Sequence, residues 1–148
     1  FEQKIAQLLG VQPAGLIQGL LADLRPEPLI ADAITRARTG GIRVGVITNS
    51  WGTAPYDPYA AHQLHQHFDA VVISSQVGLR KPEPAIYRLA AEELAVAPER
   101  IVFVDDIAAN LQSARDLGMA VIHHVDPGST VRELDRLLGL SARPQRRP

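Results

Sequence analysis

Four short apolar runs alternate with helical patterns along this chain, and this alternation limits the folds open to it more than any other feature. Each run is mostly apolar on both faces, which is the pattern of parallel strands covered on both sides of a sheet. Helix-spaced apolar positions fill the stretches between the runs, as crossovers between parallel strands require. The pattern therefore predicts an α/β protein with a buried parallel sheet. The strand-like runs lie at 42–47, 70–74, 101–105 and 119–124.

Helical patterns also precede the first strand-like run, where proline and glycine residues separate three segments. Residues 1–24 have no strand partner, so we expect them to form a helical appendage over one end of the sheet. Arg25-Pro26-Glu27-Pro28 would link this appendage to the sheet. The predicted helices lie at 2–9, 13–24, from Pro26-Pro28 to about Arg38, and at about 60–67, 83–95, 107–117 and 130–139.

Length and composition predict one ordinary domain. The chain has 148 residues, of which 46% are hydrophobic, and its net charge is −1. This charge argues against binding to nucleic acid or to a membrane surface, because both need a concentrated basic face. No apolar run reaches the ~18–20 residues that cross a bilayer. The absence of cysteine fits a reducing, cytoplasmic location.

The two ends of the chain carry their own signals. Residues 141–148 mix three arginines with two prolines, and we expect a disordered basic tail there. Phe1 is not a translation start, so we expect further residues to precede it in the complete protein.

Hydroxyl and amide side chains follow the first strand. Thr48, Asn49 and Ser50 stand beyond the carboxyl end of that strand, where open parallel sheets bind ligands. A hydroxyl and successive backbone N–H groups at this place can hold phosphate oxygens. The alternative is a turn that merely ends the strand, and these residues alone favour the turn.

Lys81 lies directly before Pro82 and close to Pro84. A residue before proline is restricted to extended conformations, so its side chain is held in place and does not move with a flexible loop. One interpretation is an ammonium group that contacts a phosphate or a nucleophile's carboxylate. The other is a solvated basic pair, Arg80-Lys81, before a helix, and the segment alone supports both equally.

Two adjacent carboxylates, Asp105 and Asp106, end the most hydrophobic strand of the chain. They repel each other, so they reduce stability unless a cation lies near them. Oxygen ligands of this kind favour Mg²⁺, which takes one or two protein carboxylates and shares the rest with water and phosphate. The alternative is a helix N-cap at Asp106. Asn110, one turn into the next helix, could orient the pair or be an exposed polar residue.

Other polar and aromatic residues carry weaker signals. A cluster of three histidines resembles a metal site, but a solvated helix face is favoured because no acid completes the set. A histidine pair follows the last strand near the expected site. Aromatic residues after Thr48 could line a pocket or pack. No Gly-x-Gly-x-x-Gly occurs, so a dinucleotide site is unsupported. The residues concerned are His62, His65, His67, His123, His124, Trp51, Tyr56 and Tyr59.

Together, Thr-Asn-Ser at 48–50, Lys-Pro at 81–82 and Asp-Asp at 105–106 resemble the motifs of the haloacid dehalogenase-like superfamily of hydrolases. Motif type, order and strand placement agree over about residues 25–125. The segments at 78–87 and 102–110 look most like the branch with the amino-terminal phosphatase domain of soluble epoxide hydrolases. Dehalogenases of the superfamily need no metal and lack the double Asp, so the phosphatase side is favoured.

The resemblance implies a Rossmann-like three-layer sandwich with a parallel sheet at 25–140 and the remnant of a helical cap at 1–24. It also implies a small phosphorylated substrate and a Mg²⁺ cofactor. The roles it carries over are phosphate binding by Thr48, Asn49 and Lys81, catalysis by Thr48 and Lys81, magnesium binding by Asp105 and Asp106 with Asp106 as the preferred direct ligand, and support by Asn110.

The sequence departs from this family at one decisive point, because no Asp-x-Asp occurs anywhere in it. In the family that motif supplies the attacking carboxylate and the acid/base. The carboxylates before Thr48 all lie in helical or linker contexts, and none can replace it. Loss of a covalent nucleophile can cost on the order of 10⁶-fold in rate, so we expect this chain alone to be inactive. Those carboxylates are Glu2, Asp23, Glu27 and Asp32.

The missing motif also has a structural consequence. In this family the strand that carries the nucleophile lies between the strand ending at Thr48 and the strand ending at Asp105. Without it, we expect two half-sheets with unpaired inner edges. A missing N-terminal segment or a homo-oligomer would complete the sheet. Truncation would explain Phe1, the short cap and the missing strand together.

Three functions remain open from the sequence. The first is a Mg²⁺-dependent phosphate-monoester hydrolase that works through an aspartyl-phosphate, with the nucleophile upstream of Phe1. The second is a non-catalytic phosphate-binding or regulatory module. The third is a phospho-receiver domain, but there the acid pair comes first in the chain and here it comes last.

Overall fold

The computed structural model describes residues 2–21, 25–50, 57, 59 and 63–140, and all the elements below belong to this part of the chain. Parallel strands alternate with helices, so the predicted α/β class is confirmed. The strands are β1 (Gly45–Thr48), β2 (Ala70–Ile73), β3 (Val102–Asp105) and β4 (Ala120–His123). The helices are α1 (Glu2–Leu9), α2 (Leu16–Leu21), α3 (Pro28–Thr39), α4 (Leu64–His67), α5 (Ser74–Val77), α6 (Pro84–Leu94), α7 (Ala108–Asp116) and α8 (Pro127–Leu138), with a 3₁₀ turn at Pro98–Arg100.

Capping side chains set where two of the covering helices begin. The Glu27 carboxylate accepts a hydrogen bond of 2.9 Å from a backbone N–H in the first turn of α3. The Asp126 carboxylate accepts one of 2.8 Å from the N–H of Ser129 in α8. Proline occupies the first turn of both helices, where its missing N–H costs nothing. This cap starts α8 at Pro127, whereas the apolar periodicity predicts a start at 130.

The strand boundaries also differ from the predicted ones by one to three residues, and two of these differences concern hydroxyl side chains. The first strand ends on Thr48 itself, so this hydroxyl belongs to β1 rather than to the following turn. The second strand stops at Ile73, and Ser74 begins the short helix α5 instead of ending the strand. Of the helix predicted at 60–67, the structure shows α4, and 60–62 lie outside the described residues. Residues 22–24 of the helix predicted at 13–24 lie outside them as well.

The strands of the described residues form two separate two-stranded sheets. One sheet, half-sheet A, pairs β1 with β2 in parallel, with Thr48 opposite Ile73. The other, half-sheet B, pairs β3 with β4 in parallel, with Asp105 opposite His123. Two half-sheets are what the sequence predicts for a sheet that lacks its middle strand.

Helices join the two half-sheets. α6 packs on both strands of half-sheet A, α7 packs on both strands of half-sheet B, and α6 and α7 contact each other. On the other face, α3 contacts α8, where Arg36 Nη1 lies 2.7 Å from Asp135 Oδ1. The largest buried cluster therefore forms between α6, α7 and the adjoining strands. It comprises Val72, Ile86, Tyr87, Ala90, Ala91, Ala114 and Met119.

The two N-terminal helices contact each other, and α1 buries little. Ala6 of α1 is buried, whereas Leu8 is 80% exposed and Leu9 is 59% exposed. The assignment of residues 1–24 to a cap remnant therefore stays a prediction. No helix of the described residues is both long and apolar enough to cross a bilayer.

Candidate active site

Side chains from three separate segments meet at the carboxyl ends of β1 and β3. Asn49 follows β1, Lys81 lies in the loop before α6, and Asp105 ends β3. Asn49 hydrogen-bonds to the backbone of Lys81, and Lys81 Nζ lies 2.7 Å from Asp105 Oδ2. The structure thus brings together the three segments that the sequence analysis selects, although they are far apart in the chain.

Asp105 is a buried carboxylate whose two oxygens both have partners. Its side chain is 3% exposed, and Oδ2 accepts the hydrogen bond from Lys81. Oδ1 accepts hydrogen bonds of 2.9 Å from the backbone N–H of Ile107 and from Asn110 Nδ2. Asn110 is itself buried, so the structure places it as the support of the acid rather than as an exposed polar residue.

The surroundings of Asp105 favour its charged form. Burial alone would raise the pKa of this carboxyl group. Hydrogen bonds from Lys81, Asn110 and the Ile107 N–H, together with the positive charge of Lys81, lower the pKa by more than burial raises it. The net result is a pKa below the usual value of 3.8. Asp105 is therefore a fixed negative charge at neutral pH.

Lys81 is held at both its backbone and its side chain. The side chain is 14% exposed, and Nζ lies 5.9 Å from the centroid of the Phe103 ring in β3. A cation at this distance from an aromatic face is attracted to it. The partly buried ammonium group thus lies at the carboxyl edge of the sheet rather than in solvent, and its contact with a phosphate or with a nucleophile's carboxylate stays a prediction.

Asn49 holds the backbone of Lys81 with both ends of its carboxamide. Nδ2 donates to the Lys81 carbonyl oxygen at 2.9 Å, and Oδ1 accepts from the Lys81 N–H at 2.8 Å. We call this pair of bonds the Asn49 clamp. Phosphate binding by Asn49 stays a prediction, and the contact that the structure shows is this positioning contact.

Ser74 makes a second link across half-sheet A that sequence reasoning missed. Its buried hydroxyl accepts a hydrogen bond of 2.7 Å from the Ser50 N–H and donates one of 3.2 Å to the Ser50 carbonyl oxygen. The segment after β1 is therefore tied to the segments after β2 and before α6. The available signal was a serine directly after a buried apolar strand.

Tyr87 supports the acid through Asn110 and was also missed. Its hydroxyl donates to the Asn110 carbonyl oxygen at 2.7 Å, and its ring meets Phe103 edge-on with centroids 5.2 Å apart. Burial and the nearby Asp105 charge raise the pKa of Tyr87 to about 12. A tyrosine at a helix-spaced core position gives no sequence signal of such a contact.

Asp106 and Thr48 remain as the accessible oxygen groups of the site. The Asp106 side chain is exposed, and its backbone carbonyl oxygen lies 3.0 Å from His123 Nε2. Thr48 is half-buried at the end of β1. Because both Asp105 oxygens are already hydrogen-bonded, Asp106 is the carboxylate better placed to bind a cation. The sequence analysis likewise gives Asp106 as the preferred direct ligand.

The donor set fits a Mg²⁺ ion that keeps most of its water. Two adjacent carboxylates supply hard oxygen donors, and Mg²⁺ usually takes only one or two from a protein. Among the described residues no cluster of three or more acidic, histidine or cysteine side chains could hold a metal by itself. A bound ion would thus depend on water and phosphate for its other ligands.

Apart from His123, which contacts the Asp106 carbonyl oxygen, the residues with weaker sequence signals lie away from these contacts or outside the described residues. His65 and His67 are exposed on α4, while His62, Trp51 and Tyr56 lie outside the described residues. His124 Nδ1 lies 2.8 Å from the buried Thr130 hydroxyl, which gives it a structural contact between the end of β4 and α8. Tyr59 is half-buried, and its backbone N–H donates to Asp57.

The chain resembles known proteins in both sequence and structure. The family model of the haloacid dehalogenase-like hydrolases matches residues 2–118. Bifunctional epoxide hydrolase 2 of Rattus norvegicus is 40% identical over 126 residues, which are 82% of this chain and 23% of that enzyme. Glyceraldehyde 3-phosphate phosphatase of Methanopyrus kandleri is 30% identical over 102 residues, 68% of this chain and 44% of that protein.

A solved structure shows the same fold. The phosphatase of this superfamily from Thermococcus onnurineus superposes with a TM-score of 0.70 at 23% identity, over 93% of this chain and 70% of that one. The chain therefore spans about a quarter of the rat enzyme and less than half of the archaeal phosphatase.

Proposed function

Because this chain belongs to the haloacid dehalogenase-like hydrolases, we propose that it forms the phosphate- and metal-binding wall of a phosphate-monoester hydrolase. The nucleophilic carboxylate would come from a segment outside these 148 residues. The observation that carries the proposal is the continuous set of contacts from Asn49 through Lys81 to Asp105. The absence of cysteine supports a cytoplasmic setting.

Each residue of the site has a definite task in this reaction. Lys81, fixed by Asn49 and Asp105, would place its ammonium group beside the phosphoryl oxygens, where charge accumulates in the transition state. The Thr48 hydroxyl would donate to a phosphoryl oxygen at the end of β1. Asp105 keeps Lys81 oriented, and Asn110 and the Ile107 N–H keep Asp105 oriented.

A Mg²⁺ ion would be held by Asp106, with Asp105 beside it. When bound, the ion would offset phosphate charge and orient the substrate. The site without it combines two carboxylates with one ammonium group, so its charge favours a cation over a free anion. A phosphorylated substrate and the ion would therefore bind together.

A non-catalytic phosphate-binding module is the second candidate, and one observation favours it. No Asp-x-Asp occurs in the chain, so the residues proposed to bind phosphate and metal are present without the nucleophilic carboxylate. Both candidates predict phosphate binding, and only the hydrolase predicts turnover once an upstream segment is present.

The test compares this chain with an N-terminally extended version of the protein in the hydrolysis of an aryl phosphate with Mg²⁺. We expect no turnover by the short chain and turnover by the extended protein, because the missing carboxylate is worth on the order of 10⁶-fold in rate. Asp106→Ala should abolish the activity of the extended protein. Turnover by the short chain that Asp106→Ala removes would disprove the proposed position of the nucleophile.

A further inference from the structure

The main chain at Ser50 is held by one side chain, the buried hydroxyl of Ser74. This hydroxyl accepts a hydrogen bond of 2.7 Å from the Ser50 N–H and donates one of 3.2 Å to the Ser50 carbonyl oxygen. Ser74 is 8% exposed, and a hydrogen bond shielded from water is stronger than an exposed one. We call these two bonds the Ser74 anchor.

The Ser74 anchor lies beyond the last residue pair of half-sheet A. The pairing of β1 with β2 ends where Thr48 stands opposite Ile73. Asn49 and Ser50 follow this pair and leave the strand, so the ladder does not fix their main chain. The Ser74 hydroxyl therefore gives the segment after β1 a fixed point two residues past the end of the strand.

The Asn49 clamp begins directly beside this fixed point. Asn49 precedes Ser50, and its carboxamide holds the Lys81 carbonyl oxygen at 2.9 Å and the Lys81 N–H at 2.8 Å. Hydrogen bonds weaken steeply when their distance and angle change, so both bonds of the clamp require that the Asn49 main chain stay in place. The anchor and the clamp thus act in series, from the Ser74 hydroxyl to the main chain of Lys81.

Lys81 carries this placement on to the charged groups of the site. Its Nζ lies 2.7 Å from Asp105 Oδ2, and its side chain is only 14% exposed. A shift of the Lys81 main chain would move the ammonium group relative to Asp105 and to the phosphoryl oxygens that it is proposed to contact. Catalytic groups must be held to within about 0.5 Å, so even a small shift matters.

We propose that Ser74 is a positioning residue for Lys81 that acts through the Ser50 main chain and the Asn49 clamp. The hydroxyl touches neither phosphate nor metal in this arrangement, and its effect on Lys81 is indirect. The mechanical link rests on the hydrogen bonds of the anchor and the clamp, whereas its consequence for phosphate hydrolysis rests on the proposed function.

Amide hydrogen exchange in the N-terminally extended protein tests the mechanical link. The Lys81 N–H is protected by its bond to Asn49 Oδ1, so we expect Ser74→Ala to speed the exchange of this amide about tenfold. The amide of Ala114, buried in α7, is the internal reference, because only a loss of global stability would speed its exchange.

Ser75→Ala is the matched control for this experiment. Ser75 follows Ser74 in α5 but is exposed, and its side chain makes no hydrogen bond within the described part of the chain. The control should leave the exchange rate of the Lys81 amide unchanged.

Hydrolysis of an aryl phosphate with Mg²⁺ by the same extended protein tests the consequence for the reaction. We expect Ser74→Ala to lower kcat about tenfold with little change in KM, because a displaced Lys81 loses a contact made mainly in the transition state. In the Asn49→Ala background, Ser74→Ala should lower kcat by less than about twofold more, since the series of contacts is already broken. A purely structural Ser74 would lower kcat by the same factor in both backgrounds.

Three results would overturn the role of Ser74. These are an exchange rate at Lys81 that rises no more than that of Ala114 in Ser74→Ala, an equal rise in Ser75→Ala, and equal losses of kcat with and without the Asn49 side chain. If the exchange of the Lys81 amide responds as expected but no form of the extended protein hydrolyses the phosphate, the proposed function fails and the positioning role of Ser74 stands.

Discussion

At the scale of single residues, the site depends on a carboxylate that is buried and yet charged. Asp105 has three hydrogen-bond donors around it, Lys81, Asn110 and the Ile107 N–H. Removing one member of a buried pair leaves the other charge uncompensated, which costs more than the pair itself contributes. Substitution of Asp105 should therefore lower the free energy of unfolding measurably.

Asp105→Asn should lower the free energy of unfolding at pH 7 by about 3 kcal/mol, because Lys81 loses its partner in a mostly buried place. Denaturant titration measures the change. Asp116→Asn is a matched control, since that carboxylate is exposed and accepts a hydrogen bond from Gln112. Equal losses in the two variants would contradict the assigned role of Asp105.

Asp105→Asn should also change how the free energy of unfolding depends on pH in acid. The folded pKa of Asp105 is below 3.8, so its stabilisation is complete above that pH and is lost as the pH falls towards the folded pKa. The unfolding free energy of the Asp105→Asn protein should therefore decrease less between pH 5 and 2. Asp126 and Glu133 also have lowered pKa values and keep part of the acid dependence in both proteins.

Asn49→Ala should loosen the loop that carries Lys81 without removing a charged group. Both bonds of the Asn49 clamp disappear, and we expect a loss of about 1–2 kcal/mol in unfolding free energy. A purely structural loss would leave Asp105 unchanged, but a loosened Lys81 should raise the pKa of Asp105, as read from the ¹³C shift of its carboxyl carbon. Asn49→Gln keeps a carboxamide that can both donate and accept, adds no charge, and should shift this pKa less. An unchanged Asp105 titration in Asn49→Ala would show that the clamp does not position Lys81.

At the scale of elements, α6 and α7 are joined by a tyrosine whose hydroxyl is buried. Tyr87→Phe removes the hydrogen bond to the Asn110 carbonyl oxygen and should cost about 1–2 kcal/mol at pH 8. The pKa of Tyr87 is raised to about 12, so its contribution is complete below pH 10 and is lost as the pH approaches that value. The phenylalanine variant should lack this alkaline loss.

Unfolding at pH 8 and at pH 11.5, together with ultraviolet titration of tyrosinate, measures both effects. Tyr59→Phe serves as a control, because the contact shown for Tyr59 is made by its backbone N–H. If the alkaline loss persists in Tyr87→Phe, another group causes it.

The sequence predicts the elements better than the contacts between them. The apolar runs place all four strands, because a buried parallel strand leaves a local pattern. They also place Lys81 and Asp105, since the carboxyl ends of such strands form one edge. The Asn49 clamp and the Ser74–Ser50 bonds join segments more than twenty residues apart, and no local pattern encodes such a distance. The early start of α8 was missed because a cap decided it, not the apolar period.

At the scale of the whole molecule, helix contacts join the two half-sheets on each face. The covering contacts are α6 with α7 and α3 with α8, and an apolar cleft of about 670 Å³ lies between them. Interiors of folded proteins are normally packed without such spaces. The chain by itself should therefore be less cooperative than an ordinary domain of its length.

We expect the purified chain to bind the dye ANS under native conditions, to self-associate as its concentration rises, and to unfold over a broad transition. Fluorescence, sedimentation and denaturant titration measure these properties. A monomer that unfolds in one sharp transition and does not bind ANS would show that the half-sheets need no further strand.

The Asn49 clamp has a consequence for how this active site could change its chemistry. It grips the main chain at position 81 and leaves the side chain uninvolved, so any residue placed there would be presented from the same point. Lys81→Arg would thus exchange one cationic group for another without rebuilding the loop. The clamp fixes the main chain at position 81 independently of the side chain, so this position is the natural place to vary the charged group at the carboxyl edge of the sheet.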